Sequence, residues 1–434
     1  MSSGEVDFTR EIPPFPPSKS LTDISTAALA ASTSDSQVKE GEFQMAFARS
    51  LSRRLGYVTH PENVVVGPGS TFLLQSIIDQ WRKANPGARL LAPRGSRACV
   101  VAADPLWIRM DETSQKISMA SLKTLLHPRD LVILSNPLYL WGSLASDEDI
   151  LALGEIIYSQ KAILVSDEGG WQTCRTPHAS YPSLGAACPD RTIVLDSMSH
   201  KEYLPDWRIG VASFGKSSIL QKIRLGVKGH LKEARLGPPS HLLGGAAYAY
   251  SLPHMAASAE RTHLIAAVLH ALRLYVYREV KSLVKTISLP RGGSCIMIPF
   301  PHFKLEQAAK LGLQVRDGVD FGCPGYIPLF LTDFDGSQIL TEAPTPFIYV
   351  KDDLDAWVET WAPTIYNGVD LLKTLLVTRE KHPSPEGSSS SRGSSSPSVP
   401  SPESPAEERS SEEGRSDGER SVASWEGEEE EEEG

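Results

Sequence analysis

From Gly41 the chain reads GEFQMAFARSLSRRLGY, placing Phe43, Ala46, Phe47, Leu51 and Leu55 at the spacing of one helix face. Asn63-Val64-Val65-Val66 follows as a short buried strand. The turn Gly67-Pro68-Gly69-Ser70 then leads into a helix over 71–78. The alternation continues, with strands expected over 89–92, 130–135, 161–166, 192–196 and 209–214 and a helix over 147–160. Short apolar, β-branched runs separated by helices predict an α/β fold with a mainly parallel sheet covered on both faces. Beyond about residue 285 the pattern changes to strand (294–299), helix (305–311) and strand (313–316), which predicts a smaller α+β lobe. The expected organisation is an N-terminal proline-rich arm over 1–40, a large domain over 41–285, a small domain over 286–382 and a disordered tail over 383–434.

Charge must be located before it is interpreted. The formal net charge of −10 belongs to the tail, which holds 15 acidic groups against four arginines and leaves the rest at +1. A nearly neutral body predicts no nucleic-acid partner. No apolar run approaches the length of a membrane span. The N-terminus lacks a signal-peptide core. Five scattered cysteines, without metal-ligand spacing, point to reduced thiols in the cytoplasm and to no metal site. The tail's serines, several followed by proline, suit phosphorylation. The tail itself reads as a solubilising appendage or as a docking segment for a basic protein.

In an open parallel sheet, ligands sit beyond the carboxyl ends of the strands, and four of those ends carry candidate chemistry. Gly69-Ser70-Thr71 at a helix start is an anion site or a plain N-cap. Ser135-Asn136-Pro137-Leu138-Tyr139-Leu140-Trp141-Gly142 is a proline-containing loop. Asp167-Glu168 calls for a cationic partner such as a protonated ring nitrogen, or forms an internal salt bridge or cap. Ser197-Met198-Ser199-His200-Lys201, with Arg208 following, could hold a phosphate beside a base, or be a solvated basic turn.

Taken in order, these four features resemble the fold-type I pyridoxal-phosphate enzymes, in particular the class I/II aminotransferases, over roughly residues 40–360. The family pattern is a Gly-Ser/Ala-Thr phosphate turn, Asn-Pro-x-Asn-Pro-x-Gly, Asp-Glu-x-Tyr, and Ser-x-Ser-Lys followed by Arg. The resemblance implies that Gly69, Ser70, Thr71, Ser197, Ser199 and Arg208 hold the phosphate of pyridoxal 5'-phosphate. It implies that Asp167 pairs with the ring nitrogen and that Tyr139 stands where an asparagine meets the phenolic oxygen. It also implies a homodimer and an amino acid or amine substrate.

Several positions depart from the pattern. Counting back from Arg208 puts His200 at the Schiff-base position, with Lys201 one step beyond. The stacking aromatic falls near Gly95, the tyrosine after Asp-Glu is replaced by Gly170, and the substrate arginine falls at Pro328 or Tyr349. Three readings stay open: a pyridoxal-phosphate enzyme using Lys201, a pyridoxamine-phosphate enzyme using His200 as base, and a degenerate scaffold without catalysis.

Overall fold

The β-branched runs become strands in the computed structural model, which describes residues 6–30, 36–111, 114–174, 183–284, 286–346 and 351–381. The chain divides into a unit of residues 1–383 and a second of 384–434. The second unit lies outside the described residues, as does Tyr349.

Among the described residues, strand β1 (Val6–Asp7) pairs with β10 (Leu313–Gln314), and β9 (Cys295–Pro299) pairs with β11 (Tyr326–Phe330). The other strands form one seven-stranded sheet. They are β2 (Val64–Gly67), β3 (Leu90–Pro93), β4 (Leu106–Ile108), β5 (Leu131–Ser135), β6 (Ile163–Asp167), β7 (Thr192–Ser197) and β8 (Gly210–Phe214). Their order is β2-β8-β7-β6-β5-β3-β4. Only β8 runs against its neighbours, so the sheet is mainly parallel, as expected.

Successive side chains of a strand point to opposite faces, and here both faces are covered. Leu131, Ile133, Ile163, Val165, Ile193 and Leu195 pack against the helices Ser70–Ala84 and Ser218–Glu233. Val132, Leu134 and Leu164 face the helix Asp147–Ser159. That helix starts where it does because Ser146 and Asp149 form a reciprocal capping box. Pairing on both sides is why the strand sequences are apolar throughout rather than alternating. Three strands had no such signal: β1 is only two residues long. Leu106 in β4 is exposed, and β11 carries Pro328 in its interior, paired with Met297.

The first described residues, 6–17, form a strap. Phe8 N donates to Gln314 O (2.8 Å) and Phe330 N donates to Phe8 O (3.2 Å). Phe8 and Phe15 are buried in the core shared by β9, β11 and the helix Ala259–Val280. Phe8 is fully enclosed, and its ring packs so closely on Gly368 that a Cβ there would approach it to 2.6 Å. Truncation to Phe8→Ala is expected to cost about 3–5 kcal/mol in urea unfolding. A cost under about 1 kcal/mol would mean that the strap is not part of the core.

Candidate functional site

The turn after β2 is built on glycine for two separate reasons. Gly69 has φ +94°, a conformation that side chains disfavour. Gly210, opening β8, sits so near that a Cβ would lie 2.4 Å from Ser70 N. The close approach brings β8 and Ser197, which is in register with Gly210, beside the N-terminus of the helix Ser70–Ala84. Arg208, itself in the left-handed region, donates to Pro68 O at 3.3 Å and lies over Gly69. Ser197 Oγ is buried without a protein hydrogen-bond partner among the described residues. Thr71 is exposed in the first helical turn and Ser199 is half-buried nearby in sequence. Backbone N–H groups at a helix start, a guanidinium and an unsatisfied hydroxyl fit an oxyanion.

The neighbouring seat, expected to hold a ring, is occupied by a side chain of the chain itself. Arg97 Nε lies 2.7 Å from Asp167 Oδ2, and Arg97 Nη2 donates to Asp167 Oδ1 at 3.1 Å. Arg97 Nη1 also donates to Ser70 Oγ at 3.0 Å. The guanidinium lies 5.5 Å from the Tyr139 ring centre and 3.5 Å from His200 Nε2. Arg97 thus gathers Ser70, Tyr139, Asp167 and His200 around one cation. A bidentate, charge-assisted pair is the strongest form this contact takes. Burial and the adjacent guanidinium push the His200 imidazole down to about 3. It is neutral, with Gly169 closing one side: a Cβ there would meet the ring at 3.0 Å.

The remaining walls are filled too. Trp141 Nε1 donates to Arg94 O at 2.7 Å, and its ring lies over Gly95, where a Cβ would approach it to 2.5 Å. Tyr139 OH donates to the Glu11 carboxylate. The cavity bounded by Glu11, Arg97, Tyr139, Asp167, His200 and Phe330 measures about 40 Å³, enough for about one water.

Lys201 does not join this group. Residues 198–201 form one helical turn, and a step of one residue rotates the side chain by about 100°. Lys201 is buried on the far side, its Nζ 4.8 Å from the Tyr250 ring centre and 5.9 Å from that of Trp171. Burial lowers its pKa, while Glu202 and Asp196 oppose that shift. Glu168 is likewise turned from Asp167 and meets Arg54 at 2.9 Å, with Arg54 3.8 Å from Asp196. Burial raises Asp196 to about 6. The adjacent pairs Asp167-Glu168 and His200-Lys201 therefore serve two separate clusters, one in the cleft and one beneath it.

Residues 15–231 match the family model for aminotransferase class I and II. The chain belongs to this family. The aspartate/prephenate aminotransferase of Nitrosomonas europaea is 22% identical over 328 residues, covering 62% of this chain and 80% of that protein. The aspartate aminotransferase of Geobacillus stearothermophilus is 27% identical over 184 residues, 39% of this chain and 46% of that one. Among solved structures, the aromatic aminotransferase of Pyrococcus horikoshii superposes with a TM-score of 0.67 at 15% identity, covering 88% of this chain and 97% of that chain. The Thermus thermophilus aspartate aminotransferase with maleate gives 0.64 at 17% identity, over 83% and 92%. The fold is that of the fold-type I aminotransferases.

The family implies pyridoxal phosphate, and the residues present fit only half of it. The cup around Gly69, Ser197 and Arg208 suits the phosphate. The ring seat does not suit the ring while Arg97 holds both oxygens of Asp167. Pro328, on the β11 face shared with Tyr326 and Phe330, supplies no guanidinium. Arg97 was missed in the sequence because nothing local marks it. Only the fold brings it to a carboxylate 70 residues away.

Proposed function

We propose that this chain is a non-transaminating member of the aminotransferase family, a binding protein that keeps the oxyanion cup and has closed the ring seat with its own arginine. The observation that carries this reading is the Arg97–Asp167 pair with His200, not lysine, beside it. A carboxylate already paired with a guanidinium has no need of a pyridinium. A histidine at the attachment position gives no amine nucleophile. Lys201 stands in a buried, charge-compensated cluster, which supports a structural role for it. Against His200 as base with pyridoxamine phosphate stands its pKa of about 3, too low to retain a proton near neutrality. Association as a homodimer is part of the proposal, and a small anionic metabolite is its ligand class. Among the described residues no helix is long and apolar enough to cross a membrane, and no cluster could hold a metal ion.

The test is reductive trapping. Purified full-length protein is incubated with pyridoxal phosphate, reduced with borohydride and analysed by peptide mass spectrometry. The expected result is no phosphopyridoxyl adduct at Lys201 and no turnover with amino donors. A stoichiometric adduct at Lys201 would overturn the reading.

A further inference from the structure

The cleft already contains a carboxylate that no cofactor chemistry uses. Glu11, on the strap, is bonded by Arg316 through one oxygen and by the Tyr139 hydroxyl through the other. The contacts join segments 305 and 128 residues apart. We propose that Arg316 and Tyr139 form a seat for the carboxylate of a small aliphatic organic acid, and that Glu11 fills it as a built-in substitute.

Three observations carry this. The seat is organised without Glu11. The Arg316 guanidinium lies 4.4 Å from the Phe321 ring centre, with Asp320 3.9 Å away on its flank. Stacking on an aromatic face fixes the fork's direction, so less freedom is lost when it grips an acid. The surroundings also favour an anion with a short apolar stem. Arg97 lies 5.5 Å from the Tyr139 ring centre, and Pro13, Pro137 and Phe330 line the cavity that Glu11 and Tyr139 share. Finally, the strap does not depend on the Glu11 carboxylate. Ser294 Oγ donates to Glu11 O and Thr332 Oγ1 to Arg10 O, both at 2.8 Å, and Phe8 and Phe15 anchor the chain on either side. Removing the carboxylate therefore vacates the seat and leaves its walls standing.

The carboxylate position assigned to Pro328 by resemblance is apolar, so Arg316 is a separate solution on another segment. The inference extends the binding-protein reading by naming a ligand class, but its test reads binding and not transamination, so the two fail independently.

Glu11→Ala deletes the equivalent of one acetate, and acetate is the probe. Melting of the full chain is followed in sodium acetate against sodium chloride at equal ionic strength. Glu11→Ala should be stabilised by acetate, because a ligand bound only by the folded state raises the midpoint. Wild type and Glu11→Gln, whose seats remain filled, should respond no more to acetate than to chloride. In Glu11→Ala/Arg316→Leu the acetate affinity measured by calorimetry should fall at least about tenfold. Equal acetate responses with and without Arg316, or none in Glu11→Ala, would overturn the proposal. Should Glu11→Ala fail to fold, Glu11→Ser and Glu11→Gly vacate the same seat and are melted in acetate against chloride in the same way, and no acetate response in either would overturn the proposal.

Discussion

Replacing Arg97 with leucine should destabilise the protein by about 3–5 kcal/mol, the cost of leaving a buried carboxylate without its partner. Asp167 is almost entirely enclosed, with a side chain 6% exposed against 11% for Arg97. Leucine fills much of the space but supplies none of the donors, so both Asp167 oxygens and Ser70 Oγ lose the guanidinium. The double variant Arg97→Leu/Asp167→Leu should recover most of the loss, because an apolar pair of similar volume replaces a buried ion pair at little net cost. Urea unfolding of the wild type, both single variants and the double variant closes the cycle. A coupling below about 1 kcal/mol would show the pair to be solvated rather than buried.

Acid should find the second weak point at His200. Its folded pKa of about 3 lies below its value of 6.5 in the unfolded chain. The unfolded state therefore binds a proton first as pH falls. Stability from the neutral imidazole is complete above about pH 6.5 and is lost progressively as pH drops toward 3. At pH 4 the loss from this group amounts to about 3 kcal/mol, an upper value because the ring keeps a partly exposed edge. Titratable groups facing the ring are Arg97 and, through it, Asp167 and Tyr139. His200→Gln should flatten the stability profile between pH 4 and 6.5 while leaving pH 8 stability within about 1 kcal/mol of wild type. An unchanged acid slope in His200→Gln would exclude the imidazole as its source.

The sheet was readable from sequence because its strands are buried on both faces. Val64-Val65-Val66 and Leu131-Val132-Ile133-Leu134 need no alternation to be recognised. β4 escaped because Leu106 faces solvent and the strand is three residues long. The proline-rich start reads as an arm, since its anchors Phe8 and Phe15 show no periodicity. Their burial depends on elements some 300 residues later. The cup was legible as a local turn with glycine at a positive φ. Arg97, Glu11 and Arg316 were not, because each acts on a partner distant in sequence. Spacing to Arg208 left His200 and Lys201 both open, and it is the helical turn over 198–201 that separates them, with His200 against Arg97 and Lys201 against Tyr250.

The division of adjacent side chains between two clusters bears on which substitutions the cleft tolerates. Placing a lysine at position 200 would set a second cation against Arg97 in a space of about one water. Removing Arg97 first leaves Asp167 unpaired, and moving the amine from Lys201 strips a charge from the cluster of Arg54, Glu168 and Asp196. Each single step toward the family's lysine pattern therefore costs stability, and that pattern is reached only by at least two substitutions made together.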